Sequence, residues 1–159
     1  MTVLAGCAGT PEEAKGTSPS VTSSPAMLSI SGSIDVMFPS PDAAPEPYTP
    51  CTPHPNAKTQ LGQEMRVLDD KGTVIGTGKI DGGMTEGNDW MKACSVGFSF
   101  KVPDASENYQ LIIGNFAPLN YTREGIRRGL SYDETAQGAL VLQPQLPWSA
   151  TVWPIGLAC

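Results

Sequence analysis

The chain has 159 residues, of which 40% are hydrophobic and 16% charged, and it contains 17 glycines and 15 prolines. This length suits one domain with a tail, and the glycine and proline content favours a loop-rich β protein over a helical one. The net charge of −6 argues against nucleic-acid binding and against adhesion to anionic lipid by charge alone, because both need clustered basic residues.

The first residues carry a motif that is typical of lipid attachment. Leu4-Ala5-Gly6-Cys7 looks like a bacterial lipobox, in which a signal peptidase cuts before a cysteine that then carries an acyl chain. Only three residues precede the motif, so the apolar region of a secretory signal is not part of this sequence. We expect residues 1–6 to be the remnant of a signal peptide and Cys7 to be the lipidation site. The alternative is a cysteine that lies by chance in a disordered tail.

Residues 7–26 show no periodic apolar pattern and predict a disordered tether. We assign residues 27–159 to one β-sandwich domain. Residues 27–38 alternate apolar and polar side chains over part of their length, as a half-buried strand does. Residues 39–55 contain seven prolines, which favour extended backbone and predict a long, stiff loop. A ligand for a proline-reading module is the alternative for this Pro-rich loop.

The rest of the chain predicts further strands and one helix. Alternating or continuous apolar runs predict strands at residues 65–69, 73–80, 93–102, 109–115 and 138–143. Residues 70–72 predict a turn, and residues 81–89 a glycine-rich acidic loop. Residues 120–129 predict a short helix, with Thr122 as its N-cap and Gly129 as its stop. The fold class that follows is all-β: a β-sandwich with one short helix and a disordered N-terminal tether.

The four cysteines are Cys7, Cys51, Cys94 and Cys159. With Cys7 acylated, three remain, and thiols outside the cytoplasm tend to pair. Cys51 precedes the strands of the sheet region and Cys94 lies within one of them, so we favour a disulfide between these two. Cys159 is then the odd thiol. A zinc site built from cysteines and His54 is the weaker alternative, because no short Cys-x-x-Cys motif exists.

Residues 65–115 resemble a transthyretin-like or carboxypeptidase-regulatory-type module through V-L-D-D-K-G, F-S-F-K-V-P-D and N-Y-Q-L-I-I-G-N. More narrowly, residues 51–143 resemble a domain of actinobacterial lipoproteins and secreted proteins. That resemblance rests on Cys51, then V-L-D-D-K-G-T-V-I-G-T-G-K, C-S-V-G-F-S-F-K-V, Y-Q-L-I-I-G and L-N-Y-T-R-E-G-I in this order. The Pro-rich loop departs from the pattern, which tends to be glycine-rich after the cysteine. The resemblance implies an Ig-like or transthyretin-like sandwich and supports the Cys51–Cys94 pair, but it implies no chemistry.

No motif in the sequence points to catalysis. His54 is the only histidine and stands between two prolines, and no serine lies in a Gly-x-Ser-x-Gly elbow. The acidic stretch 81–89 offers oxygen ligands that calcium prefers, but it lacks EF-hand spacing, so a solvated loop is favoured. We therefore predict no enzyme activity, no cofactor and no metal site.

The candidate binding residues are basic and aromatic. Arg123, Arg127 and Arg128 form a small basic cluster on the predicted helix, for which a solvated helix face is the alternative. Trp90, if exposed, is suited to stack on a sugar or to anchor a protein interface, and the same holds for Trp148 and Trp153.

The function expected from these features is that of an extracytoplasmic binding or accessory lipoprotein, without catalytic activity, held at the cell membrane by its acyl chain. Its partner would be an envelope or surface protein, or a cell-wall glycan, and not nucleic acid. The partner would engage loops at one end of the sandwich or the Pro-rich loop. Three alternatives stay open: a phage- or prophage-encoded surface lipoprotein that excludes superinfecting phage, an envelope enzyme or enzyme subunit, and a wall-spacing structural protein.

Overall fold

The computed structural model describes residues 23–143, together with Gly16 and Pro19. The predicted lipidation site Cys7 and the residues Trp148, Trp153 and Cys159 lie outside the described residues, as does most of the predicted tether. Within the described part of the chain, no helix is long and apolar enough to cross a membrane.

The described chain forms ten strands and one short α-helix. The elements are β1 (Met27–Met37), β2 (Pro50–Cys51), β3 (Glu64–Leu68), β4 (Val74–Lys79), β5 (Gly83–Gly87), β6 (Lys92–Pro103), β7 (Asn108–Ile113), β8 (Leu119–Thr122), α1 (Arg123–Arg127), β9 (Leu130–Glu134) and β10 (Leu140–Leu142). A six-stranded sheet has the order β10-β9-β1-β6-β5-β2, and a four-stranded sheet has the order β4-β3-β7-β8. These two sheets confirm the predicted all-β sandwich.

The core lies between the two sheets and is built from alternate residues of the strands. Successive side chains of a strand point to opposite faces, so every second residue of a strand points inward. The six-stranded sheet contributes Leu28, Ile30, Ile34, Val36, Cys94, Val96, Phe98, Val102, Leu130 and Tyr132, and the four-stranded sheet contributes Met65, Val67, Tyr109, Leu111 and Ile113. The strand predicted at residues 93–102 is confirmed, and its alternate residues Cys94, Val96, Phe98 and Val102 face the core, with Phe100 half-buried at the margin.

Two glycines allow β4 to lie close to β6. A Cβ atom added at Gly78 would lie 2.2 Å from Cδ1 of Phe100, and one at Gly76 would lie 2.5 Å from Cγ1 of Val102. Both distances are far below van der Waals contact, so neither position has room for a side chain in this arrangement. The G-T-G sequence of β4 therefore brings an edge strand of the four-stranded sheet against the aromatic end of β6.

A disulfide joins Cys51 and Cys94, with their Cα atoms 5.8 Å apart, which confirms the predicted pair. It links β2 to β6, the two strands that flank β5 in the six-stranded sheet. Both cysteines are buried, so the bridge fixes the end of the Pro-rich loop against the core. Because these two sulfurs are bonded to each other, they are not ligands of a zinc site with His54.

The structure corrects the prediction for residues 81–89. These residues are not a loop, because β5 lies within them and pairs with β2 on one side and β6 on the other. The strand has three glycine or acidic positions and buries only Thr85, so it lacks the apolar alternation that identifies a strand. The strands β8 and β9 were not predicted either, and the Pro-rich loop contains the short strand β2 and a single 3-10 turn, Pro41–Ala43.

The short helix α1 follows its predicted signals but spans only Arg123–Arg127 of the predicted residues 120–129, because residues 120–122 belong to β8. The Thr122 side chain accepts a hydrogen bond of 3.1 Å from the Gly125 N–H, as an N-cap does. Gly129 follows the helix with a φ of 84°, which confirms it as the stop. The helix buries Ile126 and leads directly into β9.

Candidate functional site

The outer face of the six-stranded sheet carries an exposed apolar group at one end. Trp90 is 86% exposed, Met91 63%, Met84 44% and Met37 40%. Met37 pairs with Ala93 on β6, and Ala93 pairs with Glu86 on β5, so Met37, Ala93 and Glu86 lie in one row across the sheet. We call this group, together with the carboxylates of Asp35, Glu86 and Asp133, the Trp90 surface.

The hairpin turn between β5 and β6 presents Trp90 at its tip. The Asn88 side-chain oxygen accepts hydrogen bonds from the N–H groups of Trp90 and Met91, at 2.9 and 3.1 Å, and the Asn88 N–H donates to the Met91 carbonyl. This is the local bonding that Asn side chains favour in turns. Gly87 has a φ of 121°, and a Cβ there would lie 2.0 Å from the Met91 carbonyl oxygen. At the tip of this tight turn the Trp90 side chain is exposed to solvent.

Beside the apolar group is an acidic recess of about 260 Å³, lined by Asp35, Glu86 and Asp133 together with Met37 and Met91. Asp35 and Asp133 are register partners on the parallel strands β1 and β9. Within the described chain, no Lys or Arg forms an ion pair with any of the three carboxylates.

One amide group bridges the two neighbouring carboxylates of the recess. The Gln143 side-chain NH₂ donates to Asp35 at 3.0 Å and to Asp133 at 2.8 Å. The second oxygen of Asp35 is buried and accepts no hydrogen bond from the described residues. The recess therefore holds three carboxylates that form no ion pair within the described chain, next to exposed apolar side chains.

A second concave feature lies beyond the carboxyl ends of the parallel strands β1 and β9. It is a cleft of about 620 Å³ that includes Met37, His54, Lys58 and Glu134 among its lining residues. His54, predicted to lie in the Pro-rich loop, is half-buried in this cleft. The Glu134 carboxylate accepts hydrogen bonds from the backbone N–H groups of Lys58 and Thr59, at 2.7 and 2.9 Å. These bonds attach the segment that follows the Pro-rich loop to the end of β9.

The predicted arginine cluster is engaged within the protein. Arg123 and Arg127 both contact the carboxylate of Asp104, at 2.7 and 3.1 Å, and Arg123 also pairs with Glu107 at 2.7 Å. Arg128 lies 3.6 Å from Glu124 one helical turn away. The positive charges are thus matched by carboxylates, and the binding role of these arginines stays a prediction.

Asp104 is the centre of that cluster. Its side chain is 11% exposed and also accepts a hydrogen bond of 3.0 Å from the Tyr109 hydroxyl. Burial alone would raise the pKa of the Asp104 carboxyl, but the hydrogen bond from Tyr109 and the charges of Arg123 and Arg127 outweigh it. The pKa therefore lies below its ordinary value of 3.8.

Two of the oxygen-bearing side chains in residues 81–89 lie in different settings. Glu86 lies in the Trp90 surface, and the Asn88 side chain is occupied by the hairpin turn. Across residues 23–143, no three His, Cys, Asp or Glu side chains are grouped closely enough to hold a metal ion.

Trp90 was identified from the sequence, whereas the other members of the Trp90 surface were not. Met37 and Met84 occupy outward positions on strands, and Asp35 and Asp133 come together only through the pairing of β1 with β9. The alternation I-D-V-M at residues 34–37 marks Asp35 and Met37 as outward, but no local signal identifies the neighbouring strand. The chain matches no protein-family model, no curated protein and no solved structure.

Proposed function

We propose that this protein is an extracytoplasmic binding lipoprotein, anchored through Cys7 and without catalytic activity, that captures a partner protein at the Trp90 surface. The observation that supports this most is the exposed apolar group with Trp90 at its tip. Exposed Trp side chains next to apolar neighbours are favoured anchors of protein interfaces. An envelope or surface protein is the class of partner that fits an anchored domain.

The chemistry of the surface specifies the partner further. The acidic recess of about 260 Å³ has Met37 and Met91 beside the carboxylates. A lysine or arginine of the partner would place its aliphatic stem against the methionines and its charged group beside Asp35 and Asp133. We infer a partner that presents a basic side chain flanked by apolar residues.

Photo-crosslinking of the protein and of variants in the Trp90 surface tests the proposed docking. A photo-reactive residue placed at Met84 in the full-length protein, expressed in its native host, should yield a crosslinked adduct with one envelope protein. The added substitution Trp90→Ser should abolish the adduct, because it removes the interface anchor, and Asp133→Lys should do so by repelling the basic side chain. Val74→Ser is the matched control, since Val74 is 49% exposed but lies on β4 of the other sheet.

Two results would contradict the docking proposal. One is an adduct that persists in both Trp90→Ser and Asp133→Lys. The other is an adduct whose crosslinked peptide contains no Lys or Arg. The anchor is tested separately by the intact mass of protein extracted from membranes: an acyl-bearing chain that begins at Cys7 is expected, and an unmodified N-terminus would remove the anchor from the proposal.

A further inference from the structure

The cleft beyond the carboxyl ends of β1 and β9 is separate from the acidic recess and shares only Met37 with it. Parallel strands end at the same edge of a sheet, so the segments that follow them diverge and leave a concave space. Here the segments after β1 and β9 and the loop at residues 54–58 form its walls. A volume of about 620 Å³ lies within the range of small-ligand sites.

The cleft contains one carboxylate acceptor, Glu134, and one ammonium donor, Lys58, of opposite charge. Glu134 is held by two backbone N–H groups, and each carboxylate oxygen has a further lone pair that remains free to accept. Lys58 has its ammonium 5.6 Å from the centroid of the Phe116 ring and forms no ion pair with a carboxylate of the described chain. The end of the Lys58 side chain lies close to Gly138, where an added Cβ atom would be 2.8 Å from its Cε.

The remaining polar groups of the cleft are neutral and can both donate and accept. Asn56 and Gln137 are exposed amides, and none of the hydrogen bonds within the described chain involves either side chain. An anionic ligand would meet the charge of Glu134, and a cationic ligand would meet that of Lys58. A neutral ligand with many hydroxyl groups avoids both repulsions, because each hydroxyl donates to one group and accepts from another.

The apolar part of the cleft favours the same class of ligand. Val36, Phe38 and Ala136 line it beside the polar groups, and Phe38 is half-buried. Sugar rings have apolar C–H faces and polar hydroxyl edges, so they suit a site in which an aromatic side chain stands next to amides and a carboxylate.

We propose that this cleft binds a neutral saccharide, with Glu134, Lys58, Asn56 and Gln137 contacting its hydroxyl groups. The site is independent of the proposed docking at the Trp90 surface, so the protein would hold a glycan and a partner protein at adjacent sites.

Titration of the full-length, isotope-labelled protein with three neutral trisaccharides tests the proposal. The probes are maltotriose, cellotriose and tri-N-acetylchitotriose, and binding is monitored through the amide chemical shifts of the protein. At least one should give saturable shifts confined to residues 54–58 and 134–138, with a dissociation constant of about 1 mM or lower. Asn56→Ala and Gln137→Ala should each weaken binding about fivefold to tenfold, since each removes a hydrogen bond to the ligand. Asn108→Ala, at the opposite end of the sandwich, should not change it.

The absence of saturable shifts with all three trisaccharides would overturn the proposal. So would saturation by glycine, acetate or inorganic phosphate at lower concentrations than by any trisaccharide, because that would indicate a charged or zwitterionic ligand. Trp90→Ser should leave saccharide binding unchanged, which separates this site from the docking surface. If Trp90→Ser abolishes the shifts instead, the saccharide lies on the Trp90 surface and the assignment of the cleft is wrong.

Discussion

Gly78 is a residue at which the absence of a side chain sets the distance between two sheets. Its backbone lies against the ring of Phe100, so even one methyl group would overlap with carbon atoms of that ring. Gly82, four positions later, has no atom within 4 Å of an added Cβ. The two glycines look alike in the sequence, and only packing distinguishes them.

We therefore expect Gly78→Ala to lower the free energy of unfolding by about 1–3 kcal/mol, because β4 must move away from β6 to admit the methyl group. Urea denaturation followed by tryptophan fluorescence measures the change. Gly82→Ala is the control and should leave stability within about 0.5 kcal/mol of the parent protein. Equal effects of the two substitutions would contradict the close approach of β4 to β6.

At the scale of elements, α1 is attached to the turn between β6 and β7 through Asp104. Arg123 and Arg127 both reach this carboxylate from one face of the helix. The Tyr109 hydroxyl joins the same network, donating to Asp104 and accepting from the Ser106 N–H at 3.0 Å. A helix of five residues has little stability of its own, so these contacts and the burial of Ile126 keep it in place.

Because the pKa of Asp104 is lower in the folded state than in the unfolded chain, the unfolded chain takes up its proton first as the pH falls. Its contribution to stability is fully present above about pH 4 and is lost below that, as the pH falls through the lowered pKa. Asp104→Asn should reduce the slope of the free energy of unfolding against pH below about pH 4. The reduction corresponds to at most about one proton that the unfolded chain binds and the folded protein does not. Urea denaturation at several pH values measures this slope.

The matched control for this experiment is Glu124→Gln. Glu124 pairs with Arg128 at 3.6 Å, and both side chains are well exposed, so little of the acid sensitivity should depend on it. An unchanged acid slope in Asp104→Asn, or an equal change in Glu124→Gln, would show that the Asp104 network does not link pH to stability.

The elements that the sequence predicted correctly are those with strong local signals. The alternation at residues 93–102, the Thr122 cap and the Gly129 stop depend on residues near one another, and all three are confirmed. The strand β5 has no such signal, because its two glycines and Glu86 are typical of a loop, while its pairing with β2 and β6 is decided by distant residues. The site follows the same division, since Trp90 stands out in the sequence but the Asp35–Asp133 pair exists only through tertiary pairing.

At the scale of the whole molecule, one hydrogen bond connects the two sheets through the core. The hydroxyl of Tyr121 on β8 is bonded to the hydroxyl of Tyr132 on β9, which belongs to the opposite sheet. Tyr132 is fully buried and Tyr121 half-buried. Burial raises the pKa of both phenols above the ordinary value of 10.0, and for Tyr132 the bond to Tyr121 acts in the same direction.

This pair predicts non-additive substitutions. Tyr121→Phe should lower the free energy of unfolding by about 1–3 kcal/mol, because it leaves the buried Tyr132 hydroxyl without a partner. The double variant Tyr121→Phe/Tyr132→Phe should be closer to the parent protein than Tyr121→Phe is, since no polar group is then left unpaired. Urea denaturation of the four proteins in this cycle measures the coupling, and additive effects would contradict it.

The same tyrosine pair predicts that stability also depends on pH in the alkaline range. Above pH 10 the unfolded chain loses phenolic protons that the folded protein retains, so stability should fall as the pH rises, and the fall should be smaller in the double variant.

The position of β1 has a consequence for how the chain reaches its folded state. This strand is the first in the described chain, yet it pairs with β6 on one side and with β9 on the other, and its register joins Gly32 to Leu130 near the far end of the described chain. A strand pair so distant in sequence forms slowly, because a long loop must close before any contact compensates for the lost entropy. As the chain is synthesised from its N-terminus, β1 therefore remains without either neighbour until β6 is made, and the six-stranded sheet cannot be completed until β9 and β10 follow.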